Sequence, residues 1–352
     1  MAEPSTVGSV SRKMKQRLMT AVLVGSVSMF VLIILSMCCG TVNYSLSTVI
    51  DSISSIMGNG VQSGVDRTIY NLRLPRVLAT FAVGAGLAMA GVVFQAIIRN
   101  PLVDPYMTGV SSGAGLGASL YMVFFASAFT VGGNFAMPTF AFVFAAMAFF
   151  LTFTVSKISG NSNTNFVLAG VITAMGFSAL TTILMLTNEE KTHGILGFLY
   201  GSFSTVSWET AMIMLIPVLV ISLVFIIHSR TFNVVLLGKE QSMELGVNYD
   251  RFRLLSMLLA SFLTAICVSF VGIIGFVGLI VPHIARMAFG GDHRLIMPVS
   301  MILGAILLSV ADILIKEIIC FTGTSVPIGA ITTLVGVPFF VYTMKRRGRT
   351  YA

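Results

Sequence analysis

The chain has 352 residues, of which 56% are hydrophobic and only 10% are charged, and its formal net charge is +8. A soluble domain carries about 25% charged residues, so this composition excludes an ordinary soluble protein and predicts an integral membrane protein. The basic balance does not indicate nucleic acid as a partner, because the loops on one side of a membrane protein carry excess Lys and Arg toward anionic lipid.

The chain begins with a polar, basic stretch, MAEPSTVGSVSRKMKQR, which we interpret as a cytoplasmic tail of residues 1–17 rather than a cleaved leader. Apolar windows follow, and alternation at period two is absent, so helices are favoured over strands. One crossing needs about 20 apolar residues. The windows lie at 18–39, 76–98, 106–126, 134–156, 163–187, 208–228, 253–271, 276–290, 295–315 and 328–344.

Two of these windows come from one long apolar run, Leu254 to Gly290, which exceeds the ~25 residues that a tilted helix uses. Its middle reads GIIGFVG, Gly272 to Gly278, where glycines weaken a helix and permit a turn. We therefore divide the run into a span and a short returning span. The sequence predicts an all-α, polytopic membrane protein with about ten transmembrane helices in a single domain, 18–344.

The charges give an orientation to this model. Both ends are basic, including the tail 345–352, and the positive-inside rule places both in the cytoplasm, which requires an even number of crossings. The longest inner loop is then 229–252. All but five of the 21 Lys and Arg residues lie inside. The five outer cations are Arg67, Arg73, Arg76, Lys191 and Lys316.

Three outer charges suggest a binding surface. Arg73 and Arg76 in NLRLPRVLAT are three residues apart and share a face if they are helical. Paired guanidinium groups suit carboxylates or phosphates, although snorkelling to lipid headgroups is the alternative. Lys316 follows Asp312 by one turn, a favourable pair. Asp312 would lie within the membrane, where a carboxylate is costly unless it is paired or faces a wet path.

Polar residues also concentrate in FQAIIRNPLVDPYMTGVSSGAG, residues 94–115, which the window model places at an inner turn. The residue before Pro101 is steered away from helical geometry, and Pro105 lets the next helix restart. The small residues that follow permit close helix contact or a cavity lined by backbone. From these residues alone, ordinary packing of a bent helix pair and a functional turn both stay open.

Catalytic and metal-binding motifs are absent from the sequence. No GxxxxGK followed by Ser or Thr occurs, so ATP hydrolysis cannot reside in this chain, and HExxH is absent too. We interpret the scattered histidines as structural groups and the cysteines as packing residues without a disulfide. They are His193, His228, His283, His293, Cys38, Cys39, Cys267 and Cys320. We predict no catalytic and no metal site.

The run RLPRVLATFAVGAGLAMAGVVFQAIIRNPLVDPYMTGVSSGAG resembles the signature region of the permease family of ABC importers for iron siderophores, haem and cobalamin, the type II importers. Further matches follow in the same order, from about residue 70 almost to the end. They are LAGV at 168–171, GFLYGSFSTVSW at 197–208, LGKEQSMELGV at 237–247, IGFVGLIVPHIARM at 274–287, GGDHR at 290–294 and PIGAITTLVGVPFFVYTMKRR at 327–347.

The resemblance implies the type II importer permease fold, with ten helices per subunit, and assigns roles to two groups of residues. In similar permeases LGKEQSMELGV is the short coupling helix that docks on the ATP-hydrolysing subunit. The matching residues are Leu237, Gly238, Glu240, Glu244, Leu245 and Gly246. Arg73 and Arg76 match the family's RLPR motif, and with Lys316 they are expected to meet acidic side chains of a substrate-binding protein.

The resemblance also implies a pore where two copies of the permease meet, closed at its inner end. Asn100 and Leu102, together with Asn163 and Thr164, match positions that narrow the cytoplasmic exit. This interpretation gives the polar turn at 94–115 a function, as part of an inner gate.

The expected assembly is a permease homodimer or pseudo-symmetric heterodimer in the cell membrane, with two ATPase subunits, an external binding protein and membrane lipid. This chain binds no cofactor, and ATP and Mg belong to the ATPases. Ferric siderophore is the first expectation for cargo, with haem and cobalamin open. An ATP-independent secondary transporter is the alternative from another class, and its expected mark is buried, paired ionisable groups, which only Asp312 approaches.

Overall fold

The computed structural model of the chain describes residues 4–127, 135–160, 162–323 and 326–348. In these ranges it contains α-helices, short 3₁₀ and π-helical turns, and no strand. The α-helices are α1 Pro4–Cys38, α2 Leu46–Asn59, α3 Gly64–Arg67, α4 Leu74–Ile98, α5 Val110–Leu120, α6 Ala136–Ile158, α7 Asn163–Thr187, α8 Thr192–Tyr200, α9 Trp208–Ile227, α10 Ser229–Val235, α11 Lys239–Glu244, α12 Tyr249–Val271, α13 Val277–Phe289, α14 His293–Thr322 and α15 Ile328–Gly348.

Each of the ten predicted windows corresponds to an apolar helix of the structure. Within the described residues, seven helices are long and apolar enough to cross a membrane, and shorter apolar helices include Val110–Phe125, Val277–Phe289 and Ile328–Phe339. The predicted all-α, polytopic fold is confirmed. The structure adds α2, an apolar helix that no window covers, and it extends the second span back to Gly64.

The predicted break in the long apolar run is confirmed by the positions of α12 and α13. α12 ends at Val271, and α13 begins at Val277. Between them Gly272 has a φ of 77° and Phe276 a φ of 69°. Positive φ is easy for glycine and costly for phenylalanine, so the surrounding packing holds the turn at Phe276.

α4 lies at the centre of the bundle, and nearly all of its side chains are buried. Its sequence explains this position, because small residues let neighbouring backbones approach closely. A Cβ atom on Gly84 would lie 2.2 Å from the carbonyl oxygen of Gly304 in α14, and one on Gly91 would lie 1.9 Å from that of Gly278 in α13. Glycine at these positions is therefore required for the two crossings.

Several helices stop or start inside the bundle rather than at its ends. The backbone N–H of Ile273, after α12, donates to the carbonyl of Phe198 in α8 at 3.2 Å. The N–H of Ile328, the first residue of α15, donates to Gly201 just after α8 at 3.3 Å. Unwound backbone at membrane depth needs partners within the protein, and these segments supply them to each other.

The helices run between two ends, which we name by charge. The basic end contains the turns at 99–109, 159–160 and 290–292 and the segment 228–248 that holds α10 and α11. The opposite end contains the loops at 39–45 and 188–191 and the last turn of α14.

Candidate functional site

The turn after α4 is shaped by its own polar side chains. Arg99 adopts the left-handed conformation, with φ 57°, and so ends the helix. The side-chain oxygen of Asn100 accepts from the backbone N–H of Leu102 at 3.0 Å. Asp104 then caps the short turn Pro105–Thr108 by accepting from Tyr106 N at 2.8 Å. The chain is held at an angle here before α5 begins.

Asn163 joins a second turn to this one. Its side-chain amide donates to the carbonyls of Ile97 and Ile98 at 3.2 and 3.3 Å. These carbonyls have no acceptor role within the helix because α4 ends there. Thr164 is exposed beside Asn163. The structure thus brings the turns that carry the four predicted gate residues to the same helix end, while their role as a gate stays a prediction.

Gln95 is a buried side chain that bonds to several segments, and the sequence alone assigned it no role. Its amide nitrogen lies 3.2 Å from the carbonyls of both Val103 and Gly278 and 3.4 Å from that of Leu279. Its amide oxygen accepts from Arg286 of α13. One side chain therefore ties α4, the turn that follows it and the first turn of α13. A lone Gln in an apolar helix was the available signal, since such a group must find partners.

Tyr106 fixes the polar turn against the break between α12 and α13. Its hydroxyl donates to the carbonyl of Ile274 at 2.9 Å and accepts from the same residue's N–H at 3.1 Å. Nearby, burial raises the pKa of Asp104 to about 6, although its hydrogen bond from Tyr106 favours the charged form.

The segment 228–248, which we call the projecting segment, lies at the basic end, and apolar side chains in and beside its helix α11 are exposed. Leu237, Met243 and Leu245 are 56%, 57% and 61% exposed. Glu240 and Glu244 are exposed between them. Outside the membrane span, clustered exposed apolar groups with a polar border are typical of a protein interaction site. The predicted coupling residues therefore lie together on one projecting segment.

Two glycines flank α11 within this segment, and the first lies close to the polar turn. Gly238 has a φ of 115° and Gly246 a φ of 80°, so both need the freedom of glycine. A Cβ atom on Gly238 would lie 2.9 Å from the side-chain oxygen of Gln241 and 3.4 Å from a guanidinium nitrogen of Arg99. α11 thus begins beside the residue that ends α4.

The projecting segment is anchored to the first turn of α14. Asn233 of α10 donates to Asp292 at 2.8 Å and accepts from the backbone N–H of His293 at 3.0 Å. Hydrogen bonds from Arg294 first, and from Asn233, lower the pKa of Asp292 to about 2. Phe232 is fully buried and packs on the His293 ring. α10 and α14 therefore form one unit.

At the opposite end, Asp312 is buried and pairs with two cations. Arg76 lies 2.7 Å and Lys316 3.0 Å from its carboxylate oxygens. Arg76 donates through two nitrogens, and the Lys316 ammonium also donates to Ser36 of α1 at 2.6 Å. The predicted pair of Asp312 with Lys316 is confirmed. The pair with Arg76 was not predicted, because the two residues are far apart in sequence.

Arg73 is buried in a different direction from Arg76. Its guanidinium donates to the carbonyls of Met37 and Val42 and lies 4.4 Å from the ring centroid of Tyr44. Arg73 and Arg76 therefore bind different groups within the protein rather than one shared partner, and their role in docking stays a prediction. With Lys316 they are held by internal partners, because α1, α14 and the loop at 39–45 supply oxygens that a cation at this depth requires.

The parts of the chain that the structure describes contain no group of three or more His, Cys, Asp or Glu that could hold a metal ion.

The model of the FecCD transport family matches residues 28–346. The chain belongs to the FecCD transport family. This match covers the polar turns, the projecting segment and the cluster of Arg76, Asp312 and Lys316 at the opposite end.

Similar members of the FecCD transport family are transport permeases. A cobalamin import system permease of Halobacterium salinarum is 37% identical over 292 residues, which are 82% of this chain and 77% of the relative. The Fe(3+) dicitrate transport system permease of Escherichia coli is 35% identical over 285 residues, 80% and 83% of the two chains.

A solved structure of a metal-chelate type ABC transporter in an inward-facing conformation has a TM-score of 0.80 and 30% identity to this chain. It covers 94% of this chain, which in turn covers 99% of that one. The chain is thus a multi-pass permease of the ABC importer class, and the expected resemblance is confirmed. The comparisons give no support to a secondary transporter.

Proposed function

We propose that this chain forms the translocation pathway of an ATP-driven importer of metal chelates, with a second permease copy, two ATPase subunits and an external binding protein. The observation that carries the proposal is the projecting segment, with exposed Leu237, Met243 and Leu245, beside the turn that ends α4. An apolar face of this kind suits a partner subunit, and its position suits transmission of that partner's movement.

The proposed coupling uses contacts within this chain. ATP and Mg would act in the ATPase subunits, whose closure would shift α10 and α11. Asn233 would pass that shift to α14 through Asp292 and His293, and Gly238 would pass it to the turn at Arg99. These links lead to Asn100, Leu102, Asn163 and Thr164, which we propose as the inner gate. Both termini would then be cytoplasmic.

The external binding protein is proposed to dock at the opposite end, where Arg73, Arg76 and Lys316 lie. In the structure these cations are bound to Asp312 and to backbone carbonyls. Docking through them therefore requires that internal contacts open, with a carboxylate of the binding protein replacing Asp312 for Arg76. Exposed groups at the rim of the same end would make the first contacts.

For cargo we propose a ferric siderophore, with haem and cobalamin as alternatives. The relatives' names include a ferric chelate and cobalamin, which are both large metal complexes. Uptake of iron-loaded siderophore, haem and cobalamin compared in a strain lacking this chain would decide among them. Loss of only one uptake activity identifies the cargo, and loss of none contradicts the proposal.

The assembly can be tested by capturing the tagged chain from gently solubilised native membranes and weighing the intact complex by mass spectrometry. We expect two permease copies with two ATPase subunits. The double variant Leu237→Asp/Leu245→Asp should insert normally but lose the ATPases, because two charges replace the apolar contact surface.

Lys239→Gln is the matched control, since Lys239 lies between the two leucines and its substitution removes only an exposed ion pair with Asp250, worth about 0–1 kcal/mol. It should retain the complex. Capture of the wild-type chain without any ATPase, or full retention of ATPases by the double variant, would overturn the coupling assignment.

A further inference from the structure

A large groove between α1 and α14 has no part in the pathway described above. α1 approaches α14 closely at Gly25, where a Cβ atom would lie 2.3 Å from a methyl carbon of Ile302. The groove extends along α1 from Ser28 to Gln16, past this crossing and down to the basic end. Its volume is about 790 Å³, within the ~300–1,000 Å³ of sites that enclose small ligands.

The lining of this groove changes in character along its length. Ala21, Val24, Phe289 and Leu303 are among its apolar walls. The polar lining concentrates where α1 reaches the basic end, and it includes Arg17. No Asp or Glu lines the groove, and no ion pair of Arg17 is found in the described part of the chain.

The length of the groove matches one leaflet of a bilayer. Residues 17–28 of a helix rise about 16 Å at ~1.5 Å per residue, close to half of the ~30 Å hydrocarbon core. The groove therefore offers an apolar channel about one leaflet deep with a single guanidinium at its mouth. A wholly polar solute would leave the apolar walls without apolar contacts, and a wholly apolar one would leave the Arg17 guanidinium without an anionic partner.

We propose that this groove binds one anionic phospholipid of the phosphatidylglycerol type, with an acyl chain along the walls and the phosphate at Arg17. The source is the bilayer, because α1 is the least enclosed of the long spans and its Met19, Leu23 and Phe30 are exposed. Arg12 and Lys15, exposed on the preceding turns, add positive potential at the same level.

The probe is phosphatidylglycerol, compared with phosphatidylcholine carrying the same acyl chains. The delipidated chain, in detergent, is titrated with each lipid, and bound lipid is counted by native mass spectrometry. We expect at least fivefold tighter binding of phosphatidylglycerol, which corresponds to the roughly 1 kcal/mol of one basic residue near a membrane surface. Arg17→Gln should remove that preference, whereas Lys15→Gln, outside the lining, should keep most of it.

A second pair of variants tests the groove itself. Val24→Trp should block it and lower binding of both lipids, while Val27→Trp should not, because Val27 is similarly exposed on α1 but does not line the groove. Thermal unfolding confirms that all variants fold. Three results would each overturn the proposal. One is equal binding of the two lipids by the wild type, and another is an unchanged preference for phosphatidylglycerol in Arg17→Gln. The third is that Val24→Trp leaves lipid binding unchanged and instead breaks a dimer of the chain.

Discussion

Asp312 carries one negative charge between two positive charges, so the cluster with Arg76 and Lys316 has an excess cation in a buried place. A buried ion pair contributes little net stability, but removing one partner leaves an uncompensated charge that costs several kcal/mol. The outcome of a substitution here therefore depends on what charge it leaves behind.

Asp312→Asn should be the most damaging single change in this cluster, because it leaves two buried cations facing each other. We expect a loss of about 3–5 kcal/mol. Lys316→Met should cost clearly less, since the pair of Arg76 with Asp312 stays neutral. Thermal unfolding of the two purified variants ranks their stabilities. A Lys316→Met variant less stable than Asp312→Asn would contradict the charge argument.

The sequence allowed some of these contacts to be predicted and not others. Asp312 and Lys316 are one helical turn apart, so the helix geometry alone predicts their pair. Arg76 and Gln95 bind groups on distant segments, and a single sequence contains no signal of which carbonyl or carboxylate will lie opposite. The internal contacts of Arg73 were not predicted, because the carbonyls of Met37 and Val42 that it binds are backbone groups, which sequence patterns do not reveal.

At the level of elements, α4 owes its central position to glycines at helix crossings. Gly84 and Gly304 face each other across α4 and α14, each too close to the other's backbone for a side chain. Close crossings between helices in lipid depend on such van der Waals contact, because apolar side chains gain nothing by leaving lipid tails.

Gly84→Ala should therefore destabilise the bundle by about 1–3 kcal/mol, because the added Cβ would lie 2.2 Å from a carbonyl oxygen and must push α14 away. Gly58→Ala is the matched control, since it is a helical glycine with nothing within 4 Å of a new Cβ. It should be neutral or stabilising by up to about 1 kcal/mol. Melting temperatures of the two variants check this, and equal effects would refute the crossing argument.

Element boundaries were predictable where the sequence carries a length limit or a turn residue. The division at Gly272 followed from the excess length of one apolar run. The backward extension of the second span to Gly64 was not predicted, because residues 64–73 are polar and lie beyond the apolar window. The helix α2 was missed for the same reason, since its apolar residues are interspersed with serines.

Lys and Arg residues are concentrated at one end of the molecule, and this distribution predicts its orientation in the membrane. In a cysteine-free background, Glu190→Cys at the opposite end should react with a membrane-impermeant maleimide added to intact cells. Glu240→Cys on the projecting segment should react only after permeabilisation. Both side chains are exposed, so access depends on the membrane alone. The reverse labelling pattern would invert the proposed orientation.

Fold class and family could be predicted from the sequence because hydropathy, charge and a series of long motifs are each properties of the chain itself. Arrangement could not, because it depends on which helix faces meet. The motifs marked the polar turns at 94–115 and around Asn163, yet only the structure brings Asn163 to the carbonyl end of α4.

The helices that end inside the bundle have a consequence for how this protein is made. α13 has 13 residues and rises only about 20 Å, well short of the ~30 Å core, so it cannot cross a bilayer on its own. The unwound backbone before it finds its partners on α8, which has already been synthesised when the ribosome reaches this point. Insertion of α12 and α13 should therefore occur as one hairpin against helices that precede them, and biogenesis of the bundle should follow the order of its chain.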